Sequence, residues 1–183
     1  PTRRSSDLCT AFPVGTALAQ SWDIGLMEEF GQAIAAEMKE MGVDLWLAPG
    51  MNIQRNPLCG RNFEYYSEDP LLSGLLAAAV TRGVQKDGRR GVTIKHFACN
   101  NQEDNRMGVD VQVSEQALRE IYLRGFEIAV KEATPAAIMT SYNRINGIYS
   151  ANNRDLCTVV ARQEWGFDGL IMSDWNTTVP ADG

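Results

Sequence analysis

Four stretches with helical periodicity alternate with four short apolar runs, and this alternation limits the fold more than any other feature of the chain. The runs are "VDLWLAP" from residue 43, "GVTIKHF" from 91, "AAIMTSYN" from 136 and "GLIMSDW" from 169. They are continuously apolar, which predicts strands covered on both faces of a parallel sheet. In the first helical stretch Leu26, Phe30, Ile34, Met38 and Met41 recur at steps of four and three, and Gly42 follows at the helix end. The second opens on Asp69-Pro70, a capping acceptor before a proline at the first helical position, and ends before Gly88. A third starts at Ser114 and sets Leu118, Ile121, Tyr122, Phe126 and Ala129 on one face; a fourth covers about 154–164. Strict succession of helix and strand is the α/β signature.

Two α/β architectures compete. A doubly wound nucleotide-binding sheet carries a glycine-rich phosphate turn after its first strand. Neither G-x-G-x-x-G nor G-x-x-x-x-G-K-[ST] occurs in this chain. Polar groups instead follow each apolar run: Asn52 to Arg61, Lys95-His96, Tyr142-Asn143 and Asp174. Barrel enzymes gather their chemistry at the C-terminal ends of several strands in this way. The expected fold is therefore a partial (β/α)₈ TIM-type barrel. A whole barrel takes roughly 250 residues, so four strands amount to about half of one.

Composition narrows the function. The 183 residues are 44% hydrophobic and 22% charged, the balance of a globular domain. Lys and Arg number 17 against 23 Asp and Glu, a net charge of −6, and the one basic cluster, "KDGRR" at 86–90, reads as a solvated turn. Nucleic acid and anionic membrane are not expected partners, and no apolar run nears the roughly 20 residues of a membrane-spanning helix. Cys9, Cys59, Cys99 and Cys157 have no ligand spacing and there is a single histidine, which argues against a zinc site. The cysteines are expected as buried thiols, as in a reducing, cytoplasmic setting. A start without methionine leaves secretion open. The opening "PTRRSSDL" has no signal-peptide core and resembles a translated sequencing adapter, so residues 1–8 are expected to be a non-native leader and both ends to be truncations.

Several residues have chemistry to offer. Asp174 ends a buried run, yet the "WNTTVP" behind it has no helical period for a cap to serve. At a barrel mouth such a carboxylate acts as nucleophile or base. Lys95 and His96 are adjacent, and on a regular strand they would face opposite ways; service in one site requires an abnormal turn of the backbone, through a strained or cis peptide. A lysine there is an electrostatic contact, a general base or a Schiff-base amine. The loop 52–70 mixes Arg61 with acids and three aromatics, a clamp for hydroxyl-bearing ligands, and the polar loop 98–110 lines the same mouth. Met27, Met38 and Met41 read as core filler. Asn176-Thr177-Thr178 is formally a glycosylation sequon.

Taken together, the motifs resemble those of glycoside hydrolase family 3, in its β-glucosidase branch. They are "FPVGTALAQSWD" (12–23), "LAPGMNIQRNPLCGRNFEYYSEDP" (47–70), "IKHFACNNQEDNR" (94–106), "AAIMTSYNRINGIYS" (136–150) and "EWGFDGLIMSDW" (164–175). Five motifs in the family's order make the resemblance specific, and it covers the chain from about residue 11.

The resemblance implies a retaining, exo-acting hydrolase that removes terminal β-D-glucosyl units through a covalent intermediate on Asp174. It sets Arg61, Lys95, His96, Arg106, Met139 and Tyr142 around the terminal sugar, with Trp175 walling the leaving-group side. No metal or organic cofactor is implied. Residues 9–183 would be a fragment of the N-terminal barrel. The family's "DGP" aspartate would lie upstream of residue 9, and the acid/base glutamate in a C-terminal α/β sandwich domain beyond residue 183. Glu64, Glu68 and Glu103 fall in motifs the family uses otherwise. The N-acetylhexosaminidase branch reads "KHFPGHG" where this chain reads "KHFACNN". β-Xylosidase or broader β-glycosidase specificity stays open. Outside the family, the alternatives are a Schiff-base lyase using Lys95 and a non-catalytic sugar-binding fragment, and the fragment alone is expected to be inactive.

Overall fold

A computed structural model describes residues 9–177. The expected leader at 1–8 and Thr178 of the sequon lie outside the described residues. The first long helix, α2 (Ile24–Met41), follows a short α1 (Gly15–Ala19). Asp23 caps α2 by accepting the Leu26 N–H at 3.0 Å, and Gly42 closes it with φ of 66°. Strand β1 (Leu45–Trp46) precedes α3 (Pro70–Gln85), whose Asp69 cap accepts from Leu71 N at 2.7 Å. Then come β2 (Gly91–Phe97), β3 (Asp110–Val111), α4 (Glu115–Ala117), α5 (Arg124–Ala133) and β4 (Ala137–Thr140). The hairpin β5 (Arg144–Ile145) and β6 (Ile148–Tyr149), a π-helix at Asp155–Glu164 and β7 (Leu170–Met172) complete the described chain.

The four expected strands pair in sequence order, β1-β2-β4-β7, and every pairing is parallel. No strand order reverses, so this sheet has no doubly wound switch point; it winds one way, as a barrel wall does. Strands β2 and β4 are buried almost throughout, as their apolar runs predict. Strand β7 corrects that expectation. Among the described residues it pairs only with β4, and Leu170, at this edge, is 56% exposed.

Helix α3 is the packing centre, with ten of its residues buried against the sheet, α2 and α5. It touches α2 backbone to backbone. A methyl group at Gly31 would stand 2.5 Å from the Val80 carbonyl, and one at Gly83 2.2 Å from the Glu28 carbonyl. This crossing moves the buried face of α2 onto Met27, Gly31 and Met38, and leaves Leu26, expected on that face, 42% exposed. A glycine contributes no hydrophobic signal, which is why periodicity misplaced the start of the stripe.

The third helical stretch differs for another reason. Leu118–Tyr122 is wound as a π-helix, where Leu123 N–H reaches back five residues to the Leu118 carbonyl at 2.8 Å. The extra residue rotates the face, so Leu123 is buried and Ile121, expected inside, is 40% exposed. The thiols also divide: Cys59 and Cys99 are buried as expected, Cys157 is half-buried and Cys9 exposed. A second sheet, β3-β5-β6, was not anticipated. Its hairpin turns at Asn146-Gly147, both with positive φ (49° and 90°), the strongest short hairpin signal a sequence carries.

Candidate active site

The C-terminal ends of the parallel strands converge on Asp174. Its side chain is buried, and Oδ1 accepts the Trp175 N–H at 2.7 Å. The Thr177 hydroxyl donates to the Asp174 carbonyl at 2.9 Å, so the segment closes as a turn. The carboxylate thus caps no helix among the described residues. Its other oxygen, Oδ2, lies 3.8 Å from His96 Nε2.

His96 stands beside this carboxylate, and the carboxylate's charge reaches Lys95. The peptide between them is cis, as is Phe97-Ala98, and the β2–β4 register shifts between Lys95 and Phe97. The irregular backbone expected of a shared site is therefore present. Asn52 holds it from the neighbouring segment: its Oδ1 accepts His96 N–H at 2.8 Å, and its Nδ2 donates to the His96 carbonyl at 2.9 Å. Burial first, then Arg61, Lys95 and Arg106, push His96 down to about 2, so the ring is neutral. Burial also lowers Lys95, with Glu64 and Asp174 pulling the other way.

Tyr142 also reaches Asp174. Its phenol is raised first by burial, then by the Asp174 charge and a hydrogen bond to that carboxylate. Arg106 stacks over the Tyr142 ring, 4.5 Å from its centroid, within cation–π range. Arg106 is held at 2.8 Å by Glu103, which also lies 4.0 Å from Arg61. Arg61 in turn pairs with Glu64 at 2.6 Å. The two guanidiniums are thus fixed by a shared set of acids, and both fields reach His96.

Met139 is buried in β4, opposite Lys95 on one side and Met172 on the other. Trp175 stands at the rim, 72% exposed. Asp174, Lys95, His96, Arg61, Arg106 and Tyr142 form one electrostatically coupled cluster, with Met139 buried in β4 beside Lys95 in the sheet and Trp175 exposed next to Asp174. Sequence reasoning missed Asn52, Tyr65, Asn100 and Glu103 as its supports. For Tyr65 a signal existed, an aromatic within a charged loop, and Asn52 and Asn100 lay in polar stretches after apolar runs; their supporting roles gave none, since a buried amide is recognised only by its partners.

Residues 2–180 match the model of the glycosyl hydrolase family 3 N terminal domain. The chain belongs to glycosyl hydrolase family 3. Beta-glucosidase A of Butyrivibrio fibrisolvens is 52% identical over 91% of this chain, a match spanning 20% of that protein. An exo-alpha-(1->6)-L-arabinopyranosidase of Bifidobacterium longum is 53% identical over 91% of this chain and 22% of its own length. In structure, β-glucosidase 3B from Thermotoga neapolitana in complex with glucose superposes with a TM-score of 0.89 at 60% identity, covering 91% of this chain and 23% of that one. The family 3 chain described here spans about a fifth of the length of the curated relatives it matches. Its parallel sheet is part of the family's barrel-like N-terminal domain.

Proposed function

We propose that this chain is a part of the catalytic barrel of a retaining, exo-acting β-glucosidase, with Asp174 as the nucleophile. The observation that carries the reading is the surroundings of Asp174. It is a buried carboxylate at a barrel strand end, faced by neutral His96 and by Tyr142, and it lies in the field of Lys95. A carboxylate is the group that attacks an anomeric carbon in this chemistry, and Asp174 presents one at the strand end. Arg61, Lys95, His96, Arg106 and Tyr142 offer hydrogen-bonding groups to a sugar's hydroxyls, Met139 gives the wall, and Trp175 supplies an aromatic face to the leaving group.

Retention needs a second carboxyl group roughly 5–5.5 Å from the first, to protonate the leaving oxygen. Glu64 and Glu103 are both engaged in holding arginines, at 2.6 Å and 2.8 Å. Following the family resemblance, the acid/base is assigned outside these 183 residues, to a further domain of the complete protein, and the segment alone is expected to be inactive. The terminal sugar is glucose in this reading. The arabinopyranosidase among the relatives makes a related pyranoside, or xylose, the nearest alternative.

One observation favours a second chemistry. Burial lowers the Lys95 ammonium, as a Schiff-base amine requires, although Glu64 and Asp174 oppose it. The test uses the complete protein and an aryl β-glucoside. Proton NMR should record β-glucose as the first product, and Asp174→Asn should remove turnover. α-Glucose as first product, or a borohydride-trapped adduct on Lys95, would overturn the reading.

A further inference from the structure

His96 is the only histidine of the chain, and its two ring nitrogens face different partners. Nε2 points at the Asp174 carboxylate, 3.8 Å away. Nδ1 has the Tyr65 hydroxyl at 3.4 Å and Asn52 Oδ1 at 3.3 Å. A neutral imidazole carries one N–H and one lone pair, so these contacts admit two arrangements.

The amide orientations decide between them. Asn52 is fixed by the His96 backbone, its oxygen on the N–H and its nitrogen on the carbonyl. Asn100 is fixed by Glu103: its Nδ2 donates to the Glu103 carboxylate at 3.3 Å and to the Tyr65 hydroxyl oxygen at 3.2 Å. A flipped Asn100 would set its oxygen against that carboxylate. The Tyr65 oxygen is therefore an acceptor from Asn100, and its own proton is free to be donated.

With the proton on Nδ1, that N–H would go to Asn52 Oδ1, which already accepts from the backbone. The buried Tyr65 proton would then face an N–H, and the Nε2 lone pair would face a carboxylate. With the proton on Nε2 one mismatch remains, Asn52 Oδ1 3.3 Å from the bare Nδ1, against two in the other arrangement. Asn100 donates to Tyr65, Tyr65 donates to Nδ1, and Nε2–H points at Asp174.

We infer that Tyr65 is a positioning residue that sets the tautomer of His96, so that the ring presents Nε2–H, a donor, to Asp174 and to whatever occupies the mouth. Tyr65 is fully buried, and burial raises its phenol, so the donated proton is retained across the working range. The tautomer assignment stands on geometry alone. Only its kinetic consequence rests on the glycosidase reading.

The test is nitrogen-15 NMR of the complete protein labelled at its histidine nitrogens. The His96 signals are identified by their loss in His96→Gln. The expected spectrum has the proton on Nε2, and Tyr65→Phe, which keeps the ring and removes the donor, moves population toward Nδ1–H. A wild-type spectrum with Nδ1–H, or a tautomer ratio unchanged by Tyr65→Phe, would overturn the inference. Should that variant not fold, 3-fluorotyrosine at position 65, a stronger donor, must shift the Nδ1 signal; an indifferent signal would count equally against it. In kinetics, Tyr65→Phe should lower kcat/KM for an aryl β-glucoside by roughly tenfold. If the NMR holds and glucoside hydrolysis is absent, the glycosidase reading fails and the tautomer assignment survives.

Discussion

His96 Nε2 stands 3.8 Å from Asp174 Oδ2, although the two residues are 78 positions apart and neither is more than slightly exposed. A neutral ring beside a buried carboxylate is a donor waiting for its acceptor. The contact is long for a hydrogen bond, and a ligand hydroxyl inserted between the two would shorten both halves.

The same burial makes the chain acid-sensitive in a way one residue dominates. His96 is held down to about 2 when folded, against 6.5 for a free imidazole. Its contribution to stability is complete above pH 6.5 and is lost as pH falls, because the unfolded chain takes the proton first. The slope attributable to one such group is about 1.4 kcal/mol per pH unit. Urea unfolding between pH 7 and pH 4 should therefore lose stability more steeply in the wild type than in His96→Gln.

Glu103 offers a separate handle on the arginines. Glu103→Gln keeps the bond to Asn100 but removes the charge that holds Arg106 and draws Arg61. Steady-state kinetics of the complete protein should show kcat/KM reduced by about tenfold, chiefly through KM, since positioned donors bind ground state and transition state alike. A fall confined to kcat would assign Glu103 a role in the chemistry itself.

Stability depends on the α2–α3 crossing. A methyl group at Gly83 would meet the Glu28 carbonyl at 2.2 Å and Gly31 Cα at 2.9 Å, backbone atoms that cannot rotate away. Gly83→Ala should cost about 1–3 kcal/mol by denaturant titration, despite alanine's better helix propensity. Gly60→Ala is the control: the nearest atom to its new methyl is Glu103 Cγ at 3.9 Å, and its effect should stay within about 0.5 kcal/mol.

What the sequence revealed divides along physical lines. Apolar runs and caps made the four parallel strands, the helix starts at Asp69 and Ser114 and the helix end at Gly42 readable, because those signals are local. If adjacent Lys95 and His96 were to serve one site, the backbone between them had to be irregular, and the peptide found there is. The buried face of α2 was misjudged because Gly31 packs through its backbone, and that of the third helix because π winding adds a residue per turn. Asn52, Tyr65 and Asn100 support the site through partners 31 to 44 residues distant, and no spacing rule encodes such pairs.

Trp175 separates binding from folding. With 72% of its surface exposed, Trp175→Ala should leave the unfolding midpoint nearly unchanged. It should raise KM for aryl glucosides while sparing smaller alkyl glucosides, if its face receives the leaving group. Equal effects on both would remove it from that role.

The most direct test of the whole account is the covalent intermediate. The complete protein is incubated with a 2-deoxy-2-fluoro-β-glucoside bearing an activated leaving group, digested, and mapped by mass spectrometry. The account predicts a fluoroglucosyl ester on the Asp174 carboxylate within "GLIMSDW". An adduct on any other residue would contradict it.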